Sequence, residues 1–199
     1  MNLILASQSP RRKELLGLLG IPFTIQVSQA DETMEPGKLP AQQVAEVSLR
    51  KAMATAVTAD DVVVAADTIV VCDDVILGKP KDHADACRML RMLSGRTHQV
   101  MTGMTVLCGD RIHSCTEVTD VTFRQLSDRE IIRYVDSGEP MDKAGAYGIQ
   151  GGAAIFAEIS SSNSNDAVSS SPSRYAISAG RAFAGTNGTA GVPSVRWRR

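Results

Sequence analysis

A carboxylate and a hydroxyl interrupt an apolar run near the middle of the sequence. The β-branched residues 62–64 predict a buried strand, which stops at Asp67 and Thr68 before residues 69–71 resume the apolar pattern. Because an isolated buried carboxylate is unfavourable without a cation, hydrogen bonds or a catalytic function, Asp67 at this strand end is a candidate site residue. The alternative is a turn acid that caps a neighbouring loop. Lys79 follows in a Gly-Lys-Pro loop, whose restricted backbone would return an ammonium group to the same edge.

Two arginines begin a helix directly after the first predicted strand. Ser9 as N-cap and Pro10 at the first helical position predict the helix start. The helix dipole disfavours cations in a first turn by up to about 1 kcal/mol, so Arg11 and Arg12 at this place indicate an anionic partner. With the hydroxyls of Ser7 and Ser9 and the free backbone amides, they could form a cradle for a polyphosphate. The alternative is that both guanidiniums point into water.

The elements that must position these residues alternate between strand and helix. After the first strand (1–6) and helix, the patterns predict strands at 22–27, 97–107 and 112–123 and helices at 40–56, 82–93 and 127–135. The two long strands form a hairpin around 108–111, and Ser127 with Glu130 forms a capping box on the last helix. The alternation predicts an α/β fold. A glycine-dense loop at 142–152 could line a nucleotide, although it is no phosphate-loop signature.

Four further polar residues have ordinary interpretations on their own. Glu32 lies in a polar loop, and Lys51 lies beside the apolar face of the second predicted helix, where lysine side chains usually reach into solvent. His98 and His113 lie within predicted strands without a third ligand at zinc spacing. We therefore interpret both histidines as sheet residues.

Composition excludes several classes of protein. The chain has 199 residues, which predicts one domain or one domain with two lobes, and its net charge is −1. Near-neutral charge and only four Phe, three Tyr and one Trp argue against a nucleic-acid-binding module. The four cysteines show no metal or disulfide spacing, and Cys72 and Cys108 lie in apolar runs that predict buried thiols in a reducing compartment. With no signal-peptide or membrane-spanning pattern, we expect a soluble cytoplasmic protein with no membrane partner.

Seven segments occur in the order typical of a known family. They are SQSPRR at 7–12, LRKA at 49–52, AADTIV at 65–70, GKP at 78–80, SGRTHQVMTG at 94–103, VTDVTF at 118–123 and GEPMDKAGAYGIQG at 138–151. On these segments the chain, over roughly residues 2–159, resembles the Maf family of nucleoside triphosphate pyrophosphatases. The resemblance implies an α/β, ITPase-like fold with two lobes, a mixed twisted sheet and a central cleft between the lobes.

The resemblance also implies a role for each matching residue. Asp67 matches the carboxylate that deprotonates the attacking water, and with Glu32 it matches the ligands of a divalent metal, Mg²⁺ or Mn²⁺, which prefers such oxygen donors. The positions that hold the triphosphate match Ser9, Arg12, Lys51 and Lys79, and those that mark the branch acting on dTTP and UTP match Arg11, Thr68 and Gln150. A glutamine amide offers the donor and the acceptor that a uracil or thymine edge requires.

The implied activity is hydrolysis of dTTP and UTP between the α- and β-phosphates, which gives the monophosphate and pyrophosphate. The implied role is the removal of unwanted nucleotides from the nucleotide pool. The implied partner is the nucleoside triphosphate, and a homodimer is an open question. Two alternatives come with the resemblance: a non-enzymatic regulator of septum formation and cell division, and an inactive truncated homologue.

The chain departs from the family pattern after Ile159. Residues 160–199 are rich in Ser, Ala and Gly and show neither strand alternation nor a helical stripe, which predicts a disordered tail in place of the family's last strand and helix. We therefore expect a pyrophosphatase domain at 1–159 and an atypical tail at 160–199. One hypothesis for this tail is a shifted reading frame, which the other two frames of the coding DNA would test.

Overall fold

The computed structural model describes residues 2–35, 37–55, 58 and 60–158. The strands are β1 Leu3–Leu5, β2 Phe23–Ile25, β3 Val62–Cys72, β4 Val75–Leu77, β5 Thr97–Cys108 and β6 Arg111–Thr122. The helices are α1 Pro10–Gly17, α2 Pro40–Met53, α3 His83–Leu93 and α4 Asp128–Asp136, with short 3-10 helices at Glu139–Asp142, Ala144–Ala146 and Gly152–Phe156. This order confirms the predicted α/β class. The tail predicted at 160–199 lies outside the described residues.

One mixed sheet of six strands connects all parts of the described fold. Its strands lie in the order β2-β1-β3-β5-β6, and β4 pairs with β3 beside this path. β1 runs parallel to β2 and β3, whereas β3 is antiparallel to β4 and β5, and β5 is antiparallel to β6. The predicted hairpin of β5 and β6 is confirmed, with Thr97 opposite Thr122 and Cys108 opposite Arg111. The predicted mixed sheet is therefore confirmed.

β3 is longer than the sequence predicts. It continues through Asp67 to Cys72, so the prediction that Asp67 ends a strand is wrong. β5 pairs with β3 from Val62 to Val71, which keeps the backbone of Asp67 within the sheet whatever its side chain is. On the other edge of β3, however, β1 pairs only with Val62–Val64 and β4 only with residues 70–72. The acid therefore marks a gap along one edge of β3, and not an end of the strand.

Helices cover both faces of the sheet, and the side chains of β3 alternate between α2 on one face and α3 and α4 on the other. Val44 of α2 packs with Ile69 in one apolar cluster, whereas Val70 packs with α3 and α4 in another. Because successive side chains on a strand point to opposite faces, Asp67 faces α2 and Thr68 faces the other side. The apolar clusters on the two faces of the sheet are separate.

Two helix starts follow the sequence closely. Ser9 is the N-cap of α1 and Pro10 its first residue, as predicted, although the Ser9 side chain makes no capping hydrogen bond. Ser127 and Glu130 form the predicted capping box of α4. α1 is not part of the core, since it contains no buried residue and Leu15 is exposed.

The cysteines are free thiols, as the sequence predicts, but their burial differs from the prediction. Cys72 and Cys87 are buried, whereas Cys108 and Cys115 are only partly buried. The prediction that Cys108 is buried is therefore wrong, because the residue lies at the exposed turn of the β5–β6 hairpin. Among the described helices, none is long and apolar enough to cross a membrane.

A buried histidine in the larger core makes the stability of the fold depend on pH. His98 is 2% exposed, shares a 2.8 Å hydrogen bond between its Nε2 and the Tyr147 hydroxyl, and packs edge-on against Phe123. Burial lowers the pKa of His98 from 6.5 to about 4. The unfolded chain therefore takes up a proton on this imidazole at a higher pH than the folded protein does. It follows that the contribution of the neutral imidazole to stability is fully present above pH 6.5 and is lost as the pH falls from 6.5 towards 4.

We expect the free energy of unfolding to be about 2 kcal/mol lower at pH 5 than at pH 7 because of this difference in proton uptake. Urea unfolding at a series of pH values measures it. His98→Gln should flatten the dependence, whereas His113→Gln, which changes an exposed histidine on the same hairpin, should leave it intact. A stability that does not change between pH 7 and pH 5 in the wild-type protein would contradict this account.

Candidate active site

Lys51 places its ammonium group between two carboxylates. Its Nζ lies 2.7 Å from Asp67 Oδ1 and 3.0 Å from Glu32 Oε1. The side chains of Lys51 and Asp67 are 10% and 13% exposed, whereas that of Glu32 is 59% exposed. A buried charge of either sign needs a partner, so each of the two buried groups stabilises the other. The ordinary interpretation of Lys51 as a solvated lysine therefore does not describe this arrangement, whereas Glu32 remains an exposed loop acid that also pairs with Lys51.

The helical repeat of α2 and one glycine bring Lys51 to this point. Val44, Val47 and Lys51 recur at helical spacing on the buried face of α2, so Lys51 points at the sheet. Gly103 of β5 lies directly opposite Asp67 in the sheet. A Cβ at residue 103 would come within 2.6 Å of the Val44 carbonyl carbon, so only glycine lets the helix backbone approach so closely. The contact between Lys51 and Asp67 depends on this approach.

Arg12 fills the gap along the edge of β3. Its Nη1 donates to the backbone carbonyl of Ala66 at 2.7 Å and to the Ser7 hydroxyl at 3.3 Å, and its Nη2 donates to Thr68 Oγ1 at 3.1 Å. Burial lowers the pKa of Arg12, and the nearby charges of Asp67 and Glu32 oppose that shift. All three acceptors are neutral oxygens. Among the ion pairs of the described residues none includes Arg12, so its charge remains available to an anion.

Two hydroxyl residues support Arg12. Ser7 is buried, and its hydroxyl also accepts a 3.2 Å hydrogen bond from the backbone N–H of Ser9. Thr102 lies opposite Thr68 on β5, and their hydroxyl oxygens are 3.1 Å apart. Sequence reasoning included Ser7 in the predicted cradle but did not find Thr102. The sheet register that pairs residues 68 and 102 would have been the necessary signal.

The structure brings only part of the predicted site together. The residues joined by direct contacts are Arg12, Glu32, Lys51, Asp67 and Thr68, in two groups that meet at the edge of β3. Ser9 contributes only its backbone N–H. Arg11 turns away and pairs with Glu14 at 3.1 Å, and both side chains are exposed. The prediction that Arg11 and Arg12 act together therefore does not match their positions, because a helix points neighbouring residues in different directions.

Lys79 and Gln150 lie outside these contacts. Both are exposed. The backbone N–H of Gly145 donates to the carbonyl of Gly78 at 3.0 Å, which ties the Lys79 loop to the glycine-dense segment. Glu139 holds the other end of that segment, since its carboxylate accepts from the backbone N–H of Gly152 at 3.0 and 3.1 Å. Sequence reasoning did not identify Glu139, which orders the loop that carries Gln150.

Comparison with known proteins places this sequence in a family. The family model described as Maf-like protein matches residues 2–167. The chain belongs to the Maf-like family. The dTTP/UTP pyrophosphatase of Bacillus cereus strain AH820 is 49% identical over 158 residues, which cover 79% of this chain and 83% of that protein. The dTTP/UTP pyrophosphatase of Bacillus anthracis shows the same identity and coverage.

A solved HAM1 protein from Coxiella burnetii is also similar to this Maf-like chain. It is 18% identical with a TM-score of 0.44, and the match covers 78% of this chain and 91% of that one. Similarity at this level supports no functional inference. The family resemblance seen in the sequence is confirmed by the family match and by the Bacillus relatives.

Few protein groups in the Maf-like site could bind a metal ion. Nucleotide pyrophosphatases of the family generally use divalent metals. Among the described residues, no cluster of three or more His, Cys, Asp or Glu side chains could hold an ion. Glu32 and Asp67 supply two carboxylates that already share one cation, the ammonium of Lys51. Because Mg²⁺ is commonly held by one or two carboxylates together with substrate phosphates and water, this donor set fits Mg²⁺ or Mn²⁺.

Proposed function

We propose that this chain hydrolyses dTTP and UTP between the α- and β-phosphates, with residues 1–159 as the pyrophosphatase domain. The observation that carries the proposal is the meeting of a buried acid and an available guanidinium at one gap, where Asp67 and Arg12 lie beside the same stretch of β3. An acid can take a proton from water, and a guanidinium can bind phosphate oxygens. The names of the Bacillus relatives support dTTP and UTP as the substrates.

Asp67 acts as the base in this proposal. Its Oδ1 is paired with Lys51, whereas its Oδ2 has no hydrogen bond from the described residues. A water molecule gives a proton to the carboxylate while its oxygen bonds to phosphorus. The anhydride bond between the α- and β-phosphates breaks, so that one nucleoside triphosphate and one water yield the monophosphate and pyrophosphate.

Positive groups provide most of the remaining catalysis. Phosphoryl transfer depends on positioning and on neutralising charge at the phosphoryl oxygens, which Arg12 is placed to do without first breaking an ion pair. Glu32 and Asp67 would hold Mg²⁺ or Mn²⁺, which when bound polarises the phosphate oxygens. Lys79 and Ser9 would bind the outer phosphates from the loops on either side.

Base recognition is proposed for Thr68, Gln150 and Arg11. Gln150 is exposed on a loop that Glu139 holds in place, so its amide is accessible to a pyrimidine edge. Thr68 has its hydroxyl fixed between Arg12 and Thr102. Arg11 needs only to break a surface pair with Glu14, which is worth little.

Incubation of the full chain with UTP and Mg²⁺ is expected to release UMP and pyrophosphate in equal amounts. Chromatographic separation of the nucleotides with a pyrophosphate assay measures this. A panel of dTTP, UTP, CTP, ATP and GTP should show preference for the first two. UDP with orthophosphate as the products would contradict the proposal, since it would place the cleavage at the γ-phosphate.

A further inference from the structure

We infer that Lys51 is an exchangeable counter-ion: its ammonium holds Glu32 and Asp67 in the metal-free protein, and a divalent ion takes its place and frees Lys51 for the triphosphate. This inference rests on the proposed function, because it needs the metal and the nucleotide to meet at these carboxylates. It assigns to Lys51 a role in both states of the site and makes the binding of metal and of phosphate interdependent.

The first argument is that the same two carboxylates serve two cations. Lys51 Nζ contacts Asp67 Oδ1 at 2.7 Å and Glu32 Oε1 at 3.0 Å, and these two residues are the only carboxylates among the described residues that pair with it. A divalent ion bound to the same two carboxylates would lie close to the ammonium, and the two cations would repel each other, most strongly at the buried Asp67. Simultaneous binding is therefore disfavoured, and exchange is the alternative.

The second argument is the contrast with Arg12. Arg12 is bound by the neutral oxygens of Ser7, Ala66 and Thr68, so a metal at the carboxylates competes for none of its partners. Lys51 directs its charge at Asp67 and Glu32, so its full charge is available to phosphate only after it leaves them. The site thus has one cation that is fixed in place and one that is released, and only the released one links metal binding to phosphate binding.

Burial distinguishes this lysine from a similar one at the surface. Lys38 also bridges two carboxylates, Glu35 at 3.1 Å and Glu46 at 2.8 Å. Those three side chains are 36%, 64% and 43% exposed, so water can solvate each charge when the pair opens. Asp67, in contrast, is 13% exposed and needs a cation at all times. Replacement of Lys51 by a neutral residue should therefore strengthen the binding of another cation at Asp67, and replacement of Lys38 should not strengthen cation binding.

The test is titration of Mn²⁺ into the full chain without nucleotide, followed by calorimetry or by the electron paramagnetic resonance signal of free Mn²⁺. Lys51→Met should bind Mn²⁺ at least about tenfold more tightly than the wild-type protein, since one competitor for the carboxylates is gone. Lys38→Met changes the net charge equally and should stay within about twofold of wild type. Added Mn²⁺ should also raise the melting temperature of Lys51→Met more than that of either other protein.

Equal or weaker Mn²⁺ binding by Lys51→Met, or no binding to either protein, would overturn the inference. Should Lys51→Met not fold, Lys51→Gln gives the same comparison with a side chain that can still donate to Asp67. Should neither variant fold, the NMR signal of the Lys51 side chain in the wild-type protein is measured instead. The inference requires added Mg²⁺ to shift this signal, and an unchanged signal would overturn it. The UTP product assay tests the proposed function separately. If the wild-type protein gives UMP and pyrophosphate but Lys51→Met binds Mn²⁺ no more tightly than wild type, the proposed function stands and only the exchange of Lys51 is rejected.

Discussion

Asp67→Asn is expected to lower kcat for UTP hydrolysis by about 10²- to 10⁴-fold, the contribution typical of a general base. Asparagine keeps the shape of the side chain but cannot take up a proton from water and carries no charge for a metal or for Lys51. Steady-state release of pyrophosphate with Mg²⁺ measures the effect. KM should change less than kcat, because Arg12 keeps its own contacts to Ala66 and Thr68 in this variant.

The matched control for this substitution is Asp74→Asn. Asp74 is exposed in the turn between β3 and β4, and its φ of +62° is a conformation that asparagine tolerates well. This variant should hydrolyse UTP at the wild-type rate. Circular dichroism must show that Asp67→Asn is folded, since Lys51 loses one of its two partners. A folded Asp67→Asn protein with kcat within tenfold of wild type would exclude Asp67 as the base.

Local patterns predicted most of the elements, because their signals lie within a few residues of each other. The capping box of Ser127 and Glu130 and the start of α1 at Pro10 needed no knowledge of the rest of the chain. The length of β3, in contrast, could be predicted only with knowledge of its tertiary contacts. Asp67 looked like a strand end because an acid is rare within a buried strand, but a full-length pairing with β5 and an ion pair with Lys51 keep it there. Tertiary contacts outweighed the local preference.

The same distinction applies to the site. The types of residues indicate some of its members, whereas other contacts depend on how β3 and β5 are aligned in the sheet. The residue patterns indicate Asp67 and Arg12, the family resemblance adds Lys51, and the structure brings all three to one gap. The support that Thr102 gives to Thr68 depends on which residue of β5 lies opposite residue 68, and no pattern within either strand specifies that. Sequence alone also could not show that Arg12 binds neutral oxygens while Lys51 binds both acids. That difference determines which cation is free to meet an anion.

Gly103→Ala is expected to lower the free energy of unfolding by about 3 kcal/mol and to reduce UTP hydrolysis as well. The new Cβ would lie within 2.6 Å of the Val44 carbonyl carbon and 2.8 Å of the Ala45 nitrogen. These are backbone atoms of α2, so no side-chain rotation can relieve the overlap and the helix itself must move. Since α2 carries Lys51, such a movement lengthens the 2.7 Å contact with Asp67.

Urea unfolding at pH 7 with a parallel assay of pyrophosphate release separates the two effects of Gly103→Ala. The control is Gly17→Ala at the end of α1, where an added Cβ meets nothing within 4 Å. That variant should be unchanged or more stable by up to about 1 kcal/mol, because alanine favours the helix. If Gly103→Ala stays within about 0.5 kcal/mol of wild type, α2 does not approach the sheet as closely as described. If it is destabilised but fully active, the position of Lys51 does not depend on that approach.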